Sequence, residues 1–87
     1  METVLPLGQK LAVVVEDEWI IRMQIADVLA DGGWDVWELA SGEQALQFLI
    51  TKREVTLLVT DIRLEGEVTG WKVAQAYRNQ FPQVRVI

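Results

Sequence analysis

The chain contains no cysteine, so neither a disulfide nor a thiolate zinc site can brace it, and its stability has to come from packing. It contains no apolar run close to the ~20 residues that a membrane-spanning helix needs. Its first residues, Met1-Glu2-Thr3, lack the basic start and long apolar stretch of a signal peptide. Positive charge is also short: 8 Lys and Arg face 13 Asp and Glu, a formal net charge of −5, which opposes binding along a phosphate backbone. The expectation is therefore a cytosolic protein whose partners include neither nucleic acid nor membrane. What remains is 87 residues, room for one small domain, and a 51% apolar content that suits a core and is too high for a disordered tail.

Leu11-Ala12-Val13-Val14-Val15 is a continuous apolar run, the pattern of a strand covered on both faces, and it stops at Glu16-Asp17-Glu18. From Trp19 to Ala30 the spacing of Ile21, Ile25, Val28 and Leu29 predicts a helix, ended by Asp31-Gly32-Gly33. Trp34 to Leu39 alternates in part, as a strand at or near a sheet edge does. Ser41 with Gln44 forms a capping box for a second helix with Ala45, Leu46 and Leu49 on its inner side, ending near Lys52-Arg53. Val55 to Thr60 is a further β-rich run that ends in Asp61. After a polar, glycine-bearing loop, Thr69 can cap a third helix carrying Val73, Ala76, Tyr77 and Gln80 on one side, and Val84 to Ile87 reads as a fourth strand. This alternation predicts an α/β fold, an open and mostly parallel sheet with helices on both faces. A lead-in over residues 1–9 is expected to precede one domain over 10–87.

In such a sheet, sites form at the carboxyl ends of the strands. Glu16 and Asp17 leave one strand there and Asp61 leaves another, so three carboxylates converge if those strands are neighbours. Like charges that close raise one another's pKa, whereas a hard divalent cation favours the ionised forms and takes oxygen ligands. Mg²⁺ suits two direct carboxylates, one loop carbonyl and open positions for a phosphate. Taken singly these acids are unremarkable, since Glu16-Asp17-Glu18 also fits the solvated start of a helix. Their combination carries the argument.

Three segments, Val13-Val14-Val15-Glu16-Asp17-Glu18, Leu58-Val59-Thr60-Asp61-Ile62-Arg63-Leu64 and Thr69-Gly70-Trp71, resemble the receiver domain of bacterial two-component response regulators, over nearly the whole chain from Lys10 onward. The resemblance implies a flavodoxin-like, doubly wound receiver fold, truncated to about four strands and three helices in the order 2-1-3-4. It implies a phosphoacceptor module of a phosphorelay. Asp61 would take a phosphoryl group from a histidine kinase or phosphotransfer protein, Asp17 would bind Mg²⁺ directly, Glu16 through water, and the Arg63 carbonyl would complete the ligands. It implies no enzyme in the ordinary sense.

The sequence departs from this pattern in three places. Where family members usually carry a proline after the phosphoacceptor, this chain has Glu65; the stretch from Asp61 to Gly70 is one residue longer than common, and with Glu67 it makes a more acidic loop, expected to be more mobile. The family's hydroxyl residue ending strand four and lysine ending strand five are not among these residues. Lys10 stands about five residues, at ~3.3 Å each, from the acidic end of its strand, and Lys72 reads as a solvated lysine. Without the family's final helix, strand four becomes a bare edge and the stripe of Ile21, Ile25 and Val28 loses cover, so a homodimer or larger assembly through strand four or helix one is expected. Trp19, Trp34, Trp37 and Trp71 are assigned to core and interface, with Trp19 covering the acidic pocket and Trp71 anchoring helix three. Two rival functions stand beside this one. A Mg²⁺-dependent small-molecule phosphatase on a similar sheet would want an acid where Arg63 stands, and a pseudo-receiver acting only through protein contacts would not need the acid set.

Overall fold

The computed structural model describes residues 10–87, and the lead-in expected over 1–9 lies outside the described residues. Eight elements follow one another: β1 (Leu11–Val15), α1 (Trp19–Asp31), β2 (Asp35–Leu39), α2 (Gly42–Phe48) with a 3₁₀ turn over Leu49–Thr51, β3 (Leu57–Thr60), α3 (Gly70–Gln80) and β4 (Arg85–Val86). The strands form one parallel sheet in the order β2-β1-β3-β4. The central position of β1 explains its unbroken apolar run, since both faces are covered and all five residues are buried. Among the described residues no helix is long and apolar enough to cross a membrane.

One face of the sheet carries the main core. Leu11, Val13, Val15 and Leu58 pack there with Ala45 and Phe48 of α2, Val73, Ala74 and Tyr77 of α3, and Val55, Leu64 and Val84 from the connections. Tyr77 is 0% exposed, and its hydroxyl donates to the Ala45 carbonyl at 2.7 Å, which ties α3 to α2. Both expected caps are present. Ser41 Oγ accepts from the Gln44 N–H at 3.1 Å while Gln44 Oε1 accepts from the Ala40 N–H at 2.8 Å, and Thr69 Oγ1 accepts from the Lys72 N–H at 3.2 Å.

The tryptophans correct the reading made from the sequence. Trp19 and Trp71 are 62% and 66% exposed, Trp37 is exposed and Trp34 half-buried. Trp71 does not anchor α3. The inward row of that helix is Gly70, Val73, Ala74 and Tyr77, and Trp71 stands one position off it. Trp37 lies on the sheet edge between the Phe48 ring, 5.4 Å away between centroids, and the Arg53 guanidinium, 5.0 Å above its own ring.

Among the described residues, the other face of the sheet is covered only by α1, in which Ala26 alone is buried. Val28 is 72% exposed, and with Gln24, Ile25, Leu29, Leu57, Val59 and Ile87 it lines an apolar groove of about 380 Å³. Among the described residues, part of the stripe expected on the first helix, Ile21 and Val28, lies exposed.

Candidate metal centre at the carboxyl ends of the strands

Parallel register brings the acids together. Val15 lies beside Thr60 in β3 and Leu39 in β2, so the residues that follow Val15 and Thr60 leave the sheet at the same end. The Asp61 N–H donates to the Val15 carbonyl at 3.3 Å and the Glu16 N–H to the Leu39 carbonyl at 3.1 Å, which carries the ladder one step into the site.

Glu16 is buried, 7% exposed, and its Oε2 accepts from the Glu18 N–H at 3.1 Å. Burial, first of all, pushes its carboxyl above the ordinary 4.5; a hydrogen bond with Asp17 and the charges of Asp61 and Asp17 push the same way. Asp17 goes below its ordinary 3.8, first because the Glu65 N–H donates to its Oδ2 at 2.9 Å, then through its bond with Glu16. Of the two, Glu16 is therefore the one that takes up a proton first as pH falls. Asp61 is exposed, within reach of a donor, and its Oδ1 accepts from the Arg63 N–H at 3.2 Å.

Several contacts tie the connection from Asp61 to Gly70 to the rest of the fold. Leu64 is buried in the core, the Glu65 and Glu67 N–H groups donate to carboxylates of Asp17 and Glu43, and the Gly70 N–H donates to the Ile62 carbonyl at 3.1 Å. The side chains of Glu65 and Glu67 are exposed, so their charges stay in water while their backbone is held. Gly70 is required sterically: a Cβ there would strike the Asp61 carbonyl, because α3 starts directly against the backbone of the candidate phosphoacceptor.

Two residues of this region were missed in the sequence. Arg22 donates to the Glu16 carbonyl at 2.7 Å and lies 3.6 Å from Glu38 of β2, stapling α1 to two strands. Glu43 holds the loop. Neither carries a local signal, since both partners come from elsewhere in the chain. Trp19 stands on the rim of a hollow of about 270 Å³ that it lines with Asp17, Glu18 and Ile20. Lys10 is confirmed at the opposite end of the sheet, where its carbonyl accepts from the Asp35 N–H at 2.9 Å, and Lys72 is exposed.

Among the described residues no three carboxylates close round a single point. The donor set nevertheless fits Mg²⁺. It consists of hard oxygens only, it includes three carboxylates at one end of the sheet, and the charges of Asp61 and Asp17, which add to burial in raising Glu16, are what a cation relieves.

The family model of the response regulator receiver domain matches residues 12–87. A putative NtrX-like response regulator of Rickettsia conorii is 33% identical over 82 residues, which take in 93% of this chain and 17% of that protein. The chain thus spans under a fifth of the length of that relative. A response regulator receiver protein from Sinorhizobium medicae superposes with a TM-score of 0.87 at 29% identity, covering 92% of this chain and 64% of that one. The response regulator TrrA from Thermotoga maritima, solved in complex with Mg²⁺-BeF, superposes with a TM-score of 0.78 at 27% identity, covering 90% and 66%.

Proposed function

Because this chain belongs to the response regulator receiver domain family, a family of two-component signalling modules, we propose that it accepts a phosphoryl group on Asp61 from a histidine kinase or phosphotransfer protein in the cytosol. The receiver unit is taken as residues 10–87, with Mg²⁺ held by Asp17, Asp61 and the Arg63 carbonyl, and by Glu16 through water. The observation that carries the reading is the exposed Asp61 carboxylate standing at the same sheet end as Glu16 and Asp17.

The residues divide the work. The Arg63 N–H holds Asp61 Oδ1 and leaves Oδ2 free to attack phosphorus in line, as the bond from phosphorus to the donor's imidazole nitrogen breaks and the imidazole departs. Gly70 keeps α3 close behind Asp61 without blocking it. Mg²⁺ bound at these acids supplies neutralisation of the charge on the transferring oxygens. The position two residues on holds the guanidinium of Arg63 and not the carboxylic acid that a phosphatase would use there as general acid, which disfavours the phosphatase reading.

Incubation with acetyl phosphate, borohydride trapping and intact mass test the proposal. One slowly accumulating adduct on Asp61 is expected, lost in Asp61→Asn. A label on Glu16 or Asp17 would overturn the assigned roles.

We also propose that the 87-residue chain pairs with a second copy through the groove beside α1. Among the described residues, no charged side chain lines the groove. Arg85, in register with Leu57, lies on the same face of the sheet as the groove, while Asp27 and Asp31 flank the exposed Val28 on α1. A second copy's α1 therefore brings apolar surface for the groove and acids for Arg85. Light scattering coupled to size exclusion should show a dimer at tens of micromolar that Val28→Asp dissociates. A wild-type monomer refutes the pairing.

A further inference from the structure

Two acids that lie outside the loop between β3 and α3 each hold one of its backbone N–H groups. Asp17 Oδ2 accepts from Glu65 at 2.9 Å and Glu43 Oε2 accepts from Glu67 at 3.2 Å. Gly66 stands between them at φ 98°, in the left-handed region that favours glycine. It lies flat against the Glu43 carboxylate, where a Cβ would be 3.0 Å from Oε2 and 3.1 Å from Oε1. A continuous path therefore runs from the first turn of α2 through Glu43, Glu67, Gly66 and Glu65 to Asp17.

The end of that path matters because Asp17 is a proposed Mg²⁺ ligand. A carboxylate whose one oxygen is fixed by a backbone donor presents its other oxygen in a set direction, and losing such a supporting donor costs about 10–100-fold in metal affinity. Position 65 is where the resemblance leads one to expect proline. Proline has no N–H, so the departure at Glu65 adds a donor that the usual residue cannot supply. The Glu65 side chain is exposed and plays no part.

We propose that the Glu65 backbone N–H orients Asp17 for the cation and that Glu43, through Glu67 and Gly66, is the positioning residue that keeps this N–H in place. Affinity at the centre is then set in part from α2, by a residue that touches neither metal nor phosphoryl group. The inference rests on the Mg²⁺ reading above, and its test separates the two.

The full 87-residue chain is compared with Glu43→Ala, Glu43→Gln, Glu65→Pro and Glu65→Ala by amide hydrogen exchange without metal and by Mg²⁺ titration calorimetry. Glu43→Ala should speed exchange at Glu65 and Glu67 and weaken Mg²⁺ binding, each about tenfold. Glu43→Gln, which keeps an acceptor oxygen, should restore both. Glu65→Pro should weaken binding by a similar factor, while Glu65→Ala, which keeps the N–H, should not. If Glu65→Pro fails to fold, the Glu43 pair still decides. Equal affinities for Glu65→Pro and Glu65→Ala, or unchanged exchange at Glu65 in Glu43→Ala, overturn the proposal. A wild-type chain that binds no Mg²⁺ overturns the metal centre and the affinity claim with it, while protection at Glu65 and Glu67 that depends on Glu43 would still support the loop contact.

Discussion

Replacing Tyr77 by alanine is expected to cost about 3–5 kcal/mol, the range for deleting a large buried aromatic, and to leave most molecules unfolded in mild denaturant. A domain this small has only about 5–15 kcal/mol in total. Tyr77 is 0% exposed, it sits in the core between α2, α3 and the sheet, and its hydroxyl bonds the Ala45 carbonyl at 2.7 Å. Truncation removes both the ring and the tie between the helices. Tyr77→Phe keeps the ring and should cost only about 0.5–1.5 kcal/mol, the net value of one hydrogen bond. Urea titrations of the two variants separate packing from bonding, and equal losses would show that the hydroxyl dominates. Burial also pushes the Tyr77 phenol above its ordinary 10.0. Because the unfolded chain releases that proton first, stability should fall as pH rises beyond 10.0 in the wild type and stay flatter in Tyr77→Phe.

Saturating Mg²⁺ is expected to stabilise the fold by about 2.7 kcal/mol at a hundredfold excess over Kd, since the separated acids of the unfolded chain offer no comparable site. Thermal melts with and without the cation read this directly, and Asp17→Asn should remove most of the shift. No shift at millimolar Mg²⁺ in the wild type would reject the metal centre. The pH dependence gives a second signature with a definite sign. The Glu16 carboxyl is held above 4.5, so the native state keeps a proton that the unfolded chain has already released. Stability of the metal-free protein due to this group therefore falls as pH rises from 4.5 through the raised value. Bound Mg²⁺ favours the ionised acids, and it should flatten or reverse that slope.

The features that the sequence did not reveal share one cause. Trp71 was assigned a buried role because it is large, but α3 turns Val73 and Tyr77 inward and leaves position 71 outside. Trp19, Ile20 and Met23 lie exposed on α1, a helix in which Ala26 alone is buried. The backbone of the acidic loop is held by Asp17 and Glu43 while its charges face water. Glu16 and Asp17 look alike as neighbours in sequence, and only the burial of one and the Glu65 N–H on the other drive their protonation apart.

Local chemistry was enough to determine the elements of this protein and their order. An unbroken Leu11–Val15 run demands cover on both faces, Ser41 and Thr69 begin helices because their oxygens accept N–H groups two or three residues ahead, and acids end two of the strands. These signals act within a few residues, so they are written in the chain itself. Parallel register decided the rest: it set Val15 beside Thr60, aligned Asp61 with Glu16 and Asp17, and brought Glu43 of α2 under a loop that starts eighteen residues later. Contacts of that kind depend on which distant backbone groups arrive at one place, and no residue type or spacing encodes that arrival before the sheet has formed.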